Sequence, residues 1–237
     1  MTIETMSEND SKRYAIIVAG GSGKRFGSEL PKQFLPLDGK AVLMRTIEKF
    51  DQAGATIVVV LPAEHQEMWM AMCKDSNFPV THTVATGGKT RFESVKNGIA
   101  AIDDLHDNDL VAVHDGVRPL ASVELINLCY DTAKTAGSAI PVVNPSDSIR
   151  QVKDDGTSCQ LLRSSLRAVQ TPQTFRAELL RGAYDVEESL LFTDDASVVE
   201  SAGHSVALVE GEVTNIKITT PIDMIIATEL IKNGTAC

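Results

Sequence analysis

The sequence is short of several things, and each shortage narrows what the chain does. It has four cysteines, Cys73, Cys129, Cys159 and Cys237, far apart and without a Cys-x-x-Cys pair. That spacing offers neither a metal knuckle nor a disulfide framework, and free thiols suit a reducing compartment. No apolar run approaches the roughly 18 residues of a membrane helix, so no membrane association is expected. The polar start, MTIETMSENDSKR, lacks the apolar segment of a signal peptide, and a cytoplasmic location is expected. Basic residues are outnumbered, 22 Lys and Arg against 32 Asp and Glu, for a formal net charge of −10. An acidic chain of this kind speaks against nucleic acid as a partner, which needs a basic footprint. Internal repeats and low-complexity segments are absent as well.

Two familiar phosphate-binding signatures are also missing. A Walker A loop needs Gly, four residues, then Gly-Lys-Ser/Thr. Gly23-Lys24 is followed by Arg25, and Val18 stands five residues before Gly23. Gly88-Lys89-Thr90 comes closer, but Thr83 stands where its first glycine belongs. The dinucleotide fingerprint GxGxxG fails at Phe26.

What is present is a different glycine loop. Tyr14 to Ala19 is apolar and ends in Gly20-Gly21-Ser22-Gly23, followed by Lys24, Arg25 and, after Pro31, Lys32. Glycines let backbone N–H groups approach a ligand closely. Such N–H groups backed by fixed cations form a site for phosphate oxygens. Between Gly20 and Lys40 the only acids are Glu29 and Asp38, a local positive patch on an acidic chain. It suits a small anionic ligand rather than a polyanion.

The rest of the chain alternates strand and helix. Strands are expected at 13–19, 56–61, 81–85, 110–114 and 138–143, and helices at 41–50, 63–74, 91–102 and 122–136, the last with Val123, Ile126 and Leu128 in the core. The strands are continuous apolar runs rather than alternating ones, which fits central strands buried on both faces. The rhythm predicts a Rossmann-like, doubly wound α/β fold with a mostly parallel sheet. Residues 1–12 read as a flexible tail and 13–237 as one domain. Within it, 144–169 breaks the rhythm around the turn signal Asp154-Asp155-Gly156 and reads as a projecting β-hairpin arm. A lone hairpin is marginal in water, so pairing with a second chain, a homodimer, is expected. Helices follow at 176–187 and 194–202, with Thr193 a candidate N-cap, then strands at 204–209 and 215–218. Thr220-Pro221-Ile222-Asp223 opens a last helix. Ligands in such sheets sit beyond the carboxyl ends of the strands. The glycine loop, Gly87-Gly88 and Asp115–Pro119 should therefore share one rim.

Six ordered blocks carry a resemblance: GGSGKRFGSELPKQF, Gly87-Gly88 with Arg91 and Ser94, HDGVRP at 114–119, TPQTF at 171–175, TDDAS at 193–197 and NIKIT at 215–219. Together they resemble the polyol-phosphate cytidylyltransferases, nearest to those acting on 2-C-methyl-D-erythritol 4-phosphate in non-mevalonate isoprenoid biosynthesis. The alternative within the family is the same chemistry on ribitol 5-phosphate. The resemblance implies direct in-line transfer of CMP from CTP to a substrate phosphate, without an enzyme nucleophile. It implies Mg²⁺, or another divalent cation, held mainly by the CTP phosphates. It gives catalytic roles to Arg25, Lys32, Arg163 and Lys217. Nucleotide contacts fall to Ala19, Gly20, Gly21, Ser22, Gly23, Lys24, Gly87, Gly88, Arg91 and Ser94. Asp115, Arg118, Ser148, Thr171 and Thr193 are the substrate contacts, and Arg163 and Ser148 serve the partner subunit. Taken singly, Lys32 or Lys217 is an ordinary surface lysine, and His114 reads as a hydrogen-bonded core residue. Two departures stand out. Lys89 occupies a position where many relatives carry an acid, and Asp115-Gly116-Val117 replaces Asp-Ala-Ala.

Overall fold

The computed structural model describes residues 11–21 and 30–234. The first strand, β1 (Arg13–Val18), is followed by a 3-10 turn at Lys32–Phe34, a two-stranded ribbon of β2 (Pro36–Leu37) and β3 (Lys40–Ala41), and α1 (Val42–Gln52). Next come β4 (Thr56–Leu61), α2 (Ala63–Asp75), β5 (Thr83–Thr86), α3 (Arg91–Ala100), β6 (Leu110–Asp115), α4 (Val123–Ala136) and β7 (Ser138–Val143). The strands β8 (Arg150–Val152) and β9 (Ser158–Gln160) form a separate antiparallel hairpin. The chain closes with β10 (Ala168–Val169), β11 (Gln173–Arg176), α5 (Ala177–Tyr184), α6 (Asp195–Ser201), β12 (Leu208–Glu210) and α7 (Pro221–Lys232).

The main sheet runs β10-β7-β11-β6-β1-β4-β5, with β12 also paired to β7. Strands β6, β1, β4 and β5 are parallel neighbours, as their apolar runs predict. Side chains of β1 alternate between two cores. Ala15 and Ile17 pack with Leu43, Ile47, Trp69 and Tyr130, whereas Tyr14 and Ile16 pack with Phe92, Val95, Phe175 and Leu180. Helices therefore cover both faces.

The helix ends follow their local chemistry. The Thr90 hydroxyl accepts the Glu93 N–H at 3.1 Å, and Ser122 accepts the Leu125 N–H at 2.9 Å. Helix α4 stops at Gly137, whose φ of 85° suits glycine. At α7 the Thr220 N–H donates back to Asp223 Oδ2 at 2.7 Å, behind Pro221 at the first helical position.

Several expectations need correction. Strand β11, from the TPQTF block, lies antiparallel between β6 and β7 and was not foreseen. Its Gln173 and Thr174 are buried, and Gln173 satisfies its side chain by accepting from Ala196 N–H and donating to Asp194, so no apolar run marks the strand. Residues 215–218 form no strand; Ile218 N–H bonds Val117 O instead, at 2.9 Å. In α4, Leu128 is 44% exposed, while Leu125, Ile126, Cys129 and Tyr130 are buried. The N-cap of α6 is Asp194, in a capping box with Ser197, rather than Thr193.

Candidate active site

The parallel arrangement brings the carboxyl ends of β1, β4, β5 and β6 to one rim. A cavity of about 320 Å³ opens there. Ala19, Gly20 and Gly21 form its floor, Gly87 to Arg91 one wall, and Asp115, Val117 and Lys217 the other; Lys32 and Ser94 also line it. Of the expected site residues, Ala19, Gly20, Gly21, Lys32, Gly87, Gly88, Arg91, Ser94, Asp115 and Lys217 come together here. Ser22, Gly23, Lys24 and Arg25 lie outside the described residues.

Lys32 is placed by the 3-10 turn that carries it. Phe34 is buried and stacks on Trp69, ring centroids 5.8 Å apart. Gln33 is fully buried and donates from Nε2 to Ala19 O at 2.8 Å, tying this turn to the end of β1. The Lys32 side chain lies over Gly21, where a Cβ would come within 3.9 Å of its Cε.

The Gly87–Gly88 wall is closed on itself. Gly87 N–H donates to Leu61 O at 2.8 Å and Gly88 N–H to Ser94 Oγ at 3.1 Å. The Ser94 hydroxyl passes its own proton to Thr90 O at 2.7 Å. A Cβ on Gly88 would sit 2.2 Å from Glu93 Cβ, so only glycine fits. With its amides used internally, the wall offers carbonyl oxygens to a ligand. Arg91 lines the cavity, but two of its nitrogens hold the buried Asp195, Nη1 to Oδ1 at 2.8 Å and Nη2 to Oδ2 at 2.6 Å. Tyr184 donates to the same carboxylate at 2.7 Å.

Asp115 anchors the opposite wall. Its Oδ2 takes Arg118 Nε and Lys217 Nζ, each at 3.1 Å. Burial alone would raise its pKa, but Lys217, Arg118, Arg91 and His114 together hold it well below the usual carboxylate range. It stays ionised at any working pH. Gly116 beside it is a matter of room rather than freedom. A Cβ there would meet Ala19 Cβ at 2.9 Å and Leu43 Cδ1 at 3.1 Å.

Five expected contacts do not line this cavity. Arg118 is committed to Asp115 and, through Nη1, to Asn215 O at 2.8 Å. Thr171 is buried, with its hydroxyl engaged by His114 and Asp115. Thr193 is exposed at the start of α6, its N–H donated to Ser197 Oγ. Ser148 and Arg163 are exposed on the arm, where Arg163 Nη1 donates to Ser146 O at 2.9 Å.

With this geometry in view, the comparisons decide the family. Residues 14–233 match the family described as IspD: 2-C-methyl-D-erythritol 4-phosphate cytidylyltransferase. The chain belongs to that family. A relative of that name from Bacteroides thetaiotaomicron is 49% identical over 222 residues, covering 93% of this chain and all of its own. The crystal structure of the cytidylyltransferase of the same name from Thermus thermophilus superposes with a TM-score of 0.74 at 31% identity, over 93% of this chain and 99% of that one. A 4-diphosphocytidyl-2C-methyl-D-erythritol synthase from Anaerococcus prevotii reaches 0.78 at 27% identity, over 94% and 99%.

Several residues that organise the site escaped the sequence reading. Gln33, Gln170, Asp195 and Asn215 are buried polar groups. Gln170 Nε2 donates to Glu212 O at 2.7 Å, and Asn215 Nδ2 to Thr171 O at 2.9 Å, which fixes the segment leading to Lys217. Each sits inside one of the recognised blocks, or directly before one. Their membership of those blocks was the one available signal, because a single buried polar residue leaves no periodicity.

Proposed function

We propose that this chain transfers CMP from CTP to 2-C-methyl-D-erythritol 4-phosphate and releases pyrophosphate, the reaction that its family's name describes, in non-mevalonate isoprenoid precursor biosynthesis. One observation carries the reading. Over the span that matches the family, a rim cavity combines open glycine backbone with Lys32, Lys89, Arg91 and Lys217, and among the described residues its only acid is Asp115. A phosphate oxygen of the second substrate attacks the α-phosphorus of CTP, one P–O bond forms, and the bond to the bridging α,β-oxygen breaks. Such a displacement needs positioning and neutralisation of charge rather than an enzyme nucleophile.

In this reading the triphosphate lies along Gly20–Gly21 beneath Lys32, and Arg25 is assigned to the same phosphates. The base lies against Gly87–Gly88, whose free carbonyls suit the exocyclic amino group of cytosine. The second substrate takes the Asp115–Lys217 wall. Lys217 then exchanges part of its contact with Asp115 for substrate phosphate. Among the described residues no cluster of three His, Cys, Asp or Glu side chains could cage a metal. The cavity's residues fit a Mg²⁺ ion that would be carried mainly on the CTP oxygens and would neutralise developing charge there; among the described residues Asp115 is the carboxylate that lines the cavity.

Arg163 and Ser148 fit a site shared between subunits. The arm exposes Val152 and Leu162, each 71% exposed, and keeps both polar residues off this chain's cavity. A homodimer that seats each arm on its partner covers those side chains and delivers Arg163. No helix among the described residues is long and apolar enough to cross a membrane, and the reading places the enzyme in the cytoplasm.

Pyrophosphate release from CTP with each polyol phosphate, in Mg²⁺, tests the reading. Turnover with 2-C-methyl-D-erythritol 4-phosphate is expected; turnover restricted to ribitol 5-phosphate would overturn it.

A further inference from the structure

The buried histidine at the end of β6 belongs to a closed ring of hydrogen bonds. His114 is fully buried and tilted against Phe50, ring centroids 4.9 Å apart. Its Nε2 lies 3.1 Å from Arg118 O, and its Nδ1 3.0 Å from Thr171 Oγ1. Arg118 O is a pure acceptor, so Nε2 carries the hydrogen and Nδ1 is the bare nitrogen. Thr171 therefore donates its hydroxyl proton to Nδ1. Its oxygen is left to accept, and it accepts the N–H of Asp115 at 3.1 Å. Arg118 N–H in turn bonds Asp115 O at 3.0 Å. The neutral imidazole fixes the direction of its own two bonds, and the two backbone N–H donors complete the ring.

We infer that His114 is a positioning residue for the second substrate: through Thr171 and Arg118 it fixes the backbone on both sides of Asp115 and so aims the carboxylate into the cavity. Three points support this. The ring joins the two blocks HDGVRP and TPQTF, which are far apart in sequence. Asn215 ties the third block to it, donating to Thr171 O at 2.9 Å and accepting from Arg118 Nη1 at 2.8 Å. Lys217, two residues on, bonds Asp115 itself at 3.1 Å. The glycine floor and the Gly87–Arg91 wall share none of these bonds, so the ring should govern one substrate and not the other. Thr171 acts here from inside the fold, in place of the direct phosphate contact that the family resemblance implies.

The inference rests on the assignment of Asp115 to the polyol phosphate, and the experiment separates the two. Steady-state kinetics are measured for both substrates with Asp115→Asn, His114→Phe, His114→Asn and Thr171→Val. His114→Phe keeps the ring shape and removes both nitrogens, and should raise KM for the polyol phosphate at least tenfold while KM for CTP stays within about twofold. His114→Asn restores an acceptor near Nδ1 and should recover part of that loss. The His114→Phe/Thr171→Val double variant should lose less than the product of the two single losses, since both remove the Thr171–His114 bond while each also removes one of its own. If the two losses multiply, Thr171 touches substrate itself and the inference falls. Equal losses in both KM values, or no recovery with Asn, likewise reduce His114 to a core residue and overturn it. Should His114→Phe fail to fold, Thr171→Val against Thr171→Ser gives the same KM comparison: Thr171→Ser is expected to restore the polyol-phosphate KM that Thr171→Val raises, and an unaltered Thr171→Val overturns the inference. If Asp115→Asn leaves KM for the polyol phosphate unchanged, the assignment of Asp115 itself fails.

Discussion

Arg91 and Asp195 stand 104 residues apart in sequence and meet as a two-bonded ion pair, at 2.8 and 2.6 Å. The carboxylate is fully buried while the guanidinium still reaches the cavity, its side chain 31% exposed. The pair joins the wall assigned to the base to the helix that follows Thr193. Neighbouring contacts reinforce it: the Thr90 hydroxyl bonds Glu188 at 3.0 Å, and Phe92 stacks on Tyr184 at 4.7 Å and Phe192 at 5.6 Å. Removing the cation from a fully buried partner leaves a charge without compensation. Arg91→Ala should therefore cost about 3 kcal/mol or more of stability. Asp195→Asn should cost less, because the amide still accepts from Tyr184. Urea unfolding of the two variants measures this, and an Arg91→Ala protein as stable as the parent would refute the structural role.

Gly116→Ala tests a second close approach. The added methyl would meet Ala19 Cβ at 2.9 Å, directly below the glycine floor. Overpacking of this kind costs roughly 1–3 kcal/mol. The shift should also raise KM for CTP, since Ala19 leads into Gly20–Gly21. An alanine variant as stable as the parent, with KM for CTP unchanged, would contradict this close approach.

How much of this was legible beforehand follows from burial chemistry. The strands β1, β4 and β6 announce themselves because they are apolar on both faces. The rim loops are visible because glycine and cations coincide there. Strand β11 is hidden because Gln173 and Thr174 are polar where an apolar run would mark the strand, Gln173 being held by specific side-chain bonds. Likewise, the recognised blocks name Arg118 and Thr171 but not which way they face. Only the ring around His114 shows that both look inward. Arg163 is the opposite case: among the described residues it lies on the arm, bonded to Ser146 O and outside the cavity lining.

Stability should depend on pH through His114. Burial is the main cause that depresses its pKa from 6.5 to about 4. Between those values the unfolded chain takes up a proton that the folded protein refuses. The contribution is fully present above pH 6.5 and is lost as the pH falls towards 4. In full it amounts to about 3 kcal/mol. Asp115, whose pKa is also depressed, adds a loss that begins only below the ordinary carboxylate pKa of 3.8. Denaturation followed from pH 7.5 to 4.5 in the parent and in His114→Phe checks this. The variant should lose most of the slope, and an equal slope in both would assign it to other groups.

Charge removal at the cavity should act on rate rather than folding. Lys32→Ala and Lys217→Ala each take away a cation placed for the displacement; Lys217→Ala leaves Asp115 its Arg118 partner, so the fold should hold with part of the stability lost. Loss of one such group costs on the order of 10²–10³ in turnover. Arg25→Ala should behave similarly if it lies on the triphosphate. Single-turnover rates at saturating CTP are the measurement, and near-normal rates would remove the residue from the mechanism.

The shared site is tested by mixing subunits. Suppose Arg163 of one chain completes the cavity that holds Lys217 of the other. An Arg163→Ala homodimer then lacks the arm residue in both sites, and a Lys217→Ala homodimer lacks the cavity residue in both. A heterodimer of the two concentrates both defects in one site. Its other site receives a wild-type Lys217 from the first chain and a wild-type Arg163 from the second. Equimolar mixing with free exchange should therefore restore about a quarter of the parental sites. If Arg163 instead folds back onto its own chain, each site keeps one defect and mixing restores nothing. Heterodimers purified on two tags, assayed for pyrophosphate release, separate the cases. Activity near half the parental value per heterodimer is the expected result, and activity no greater than that of the single-variant homodimers would return the arm to its own subunit.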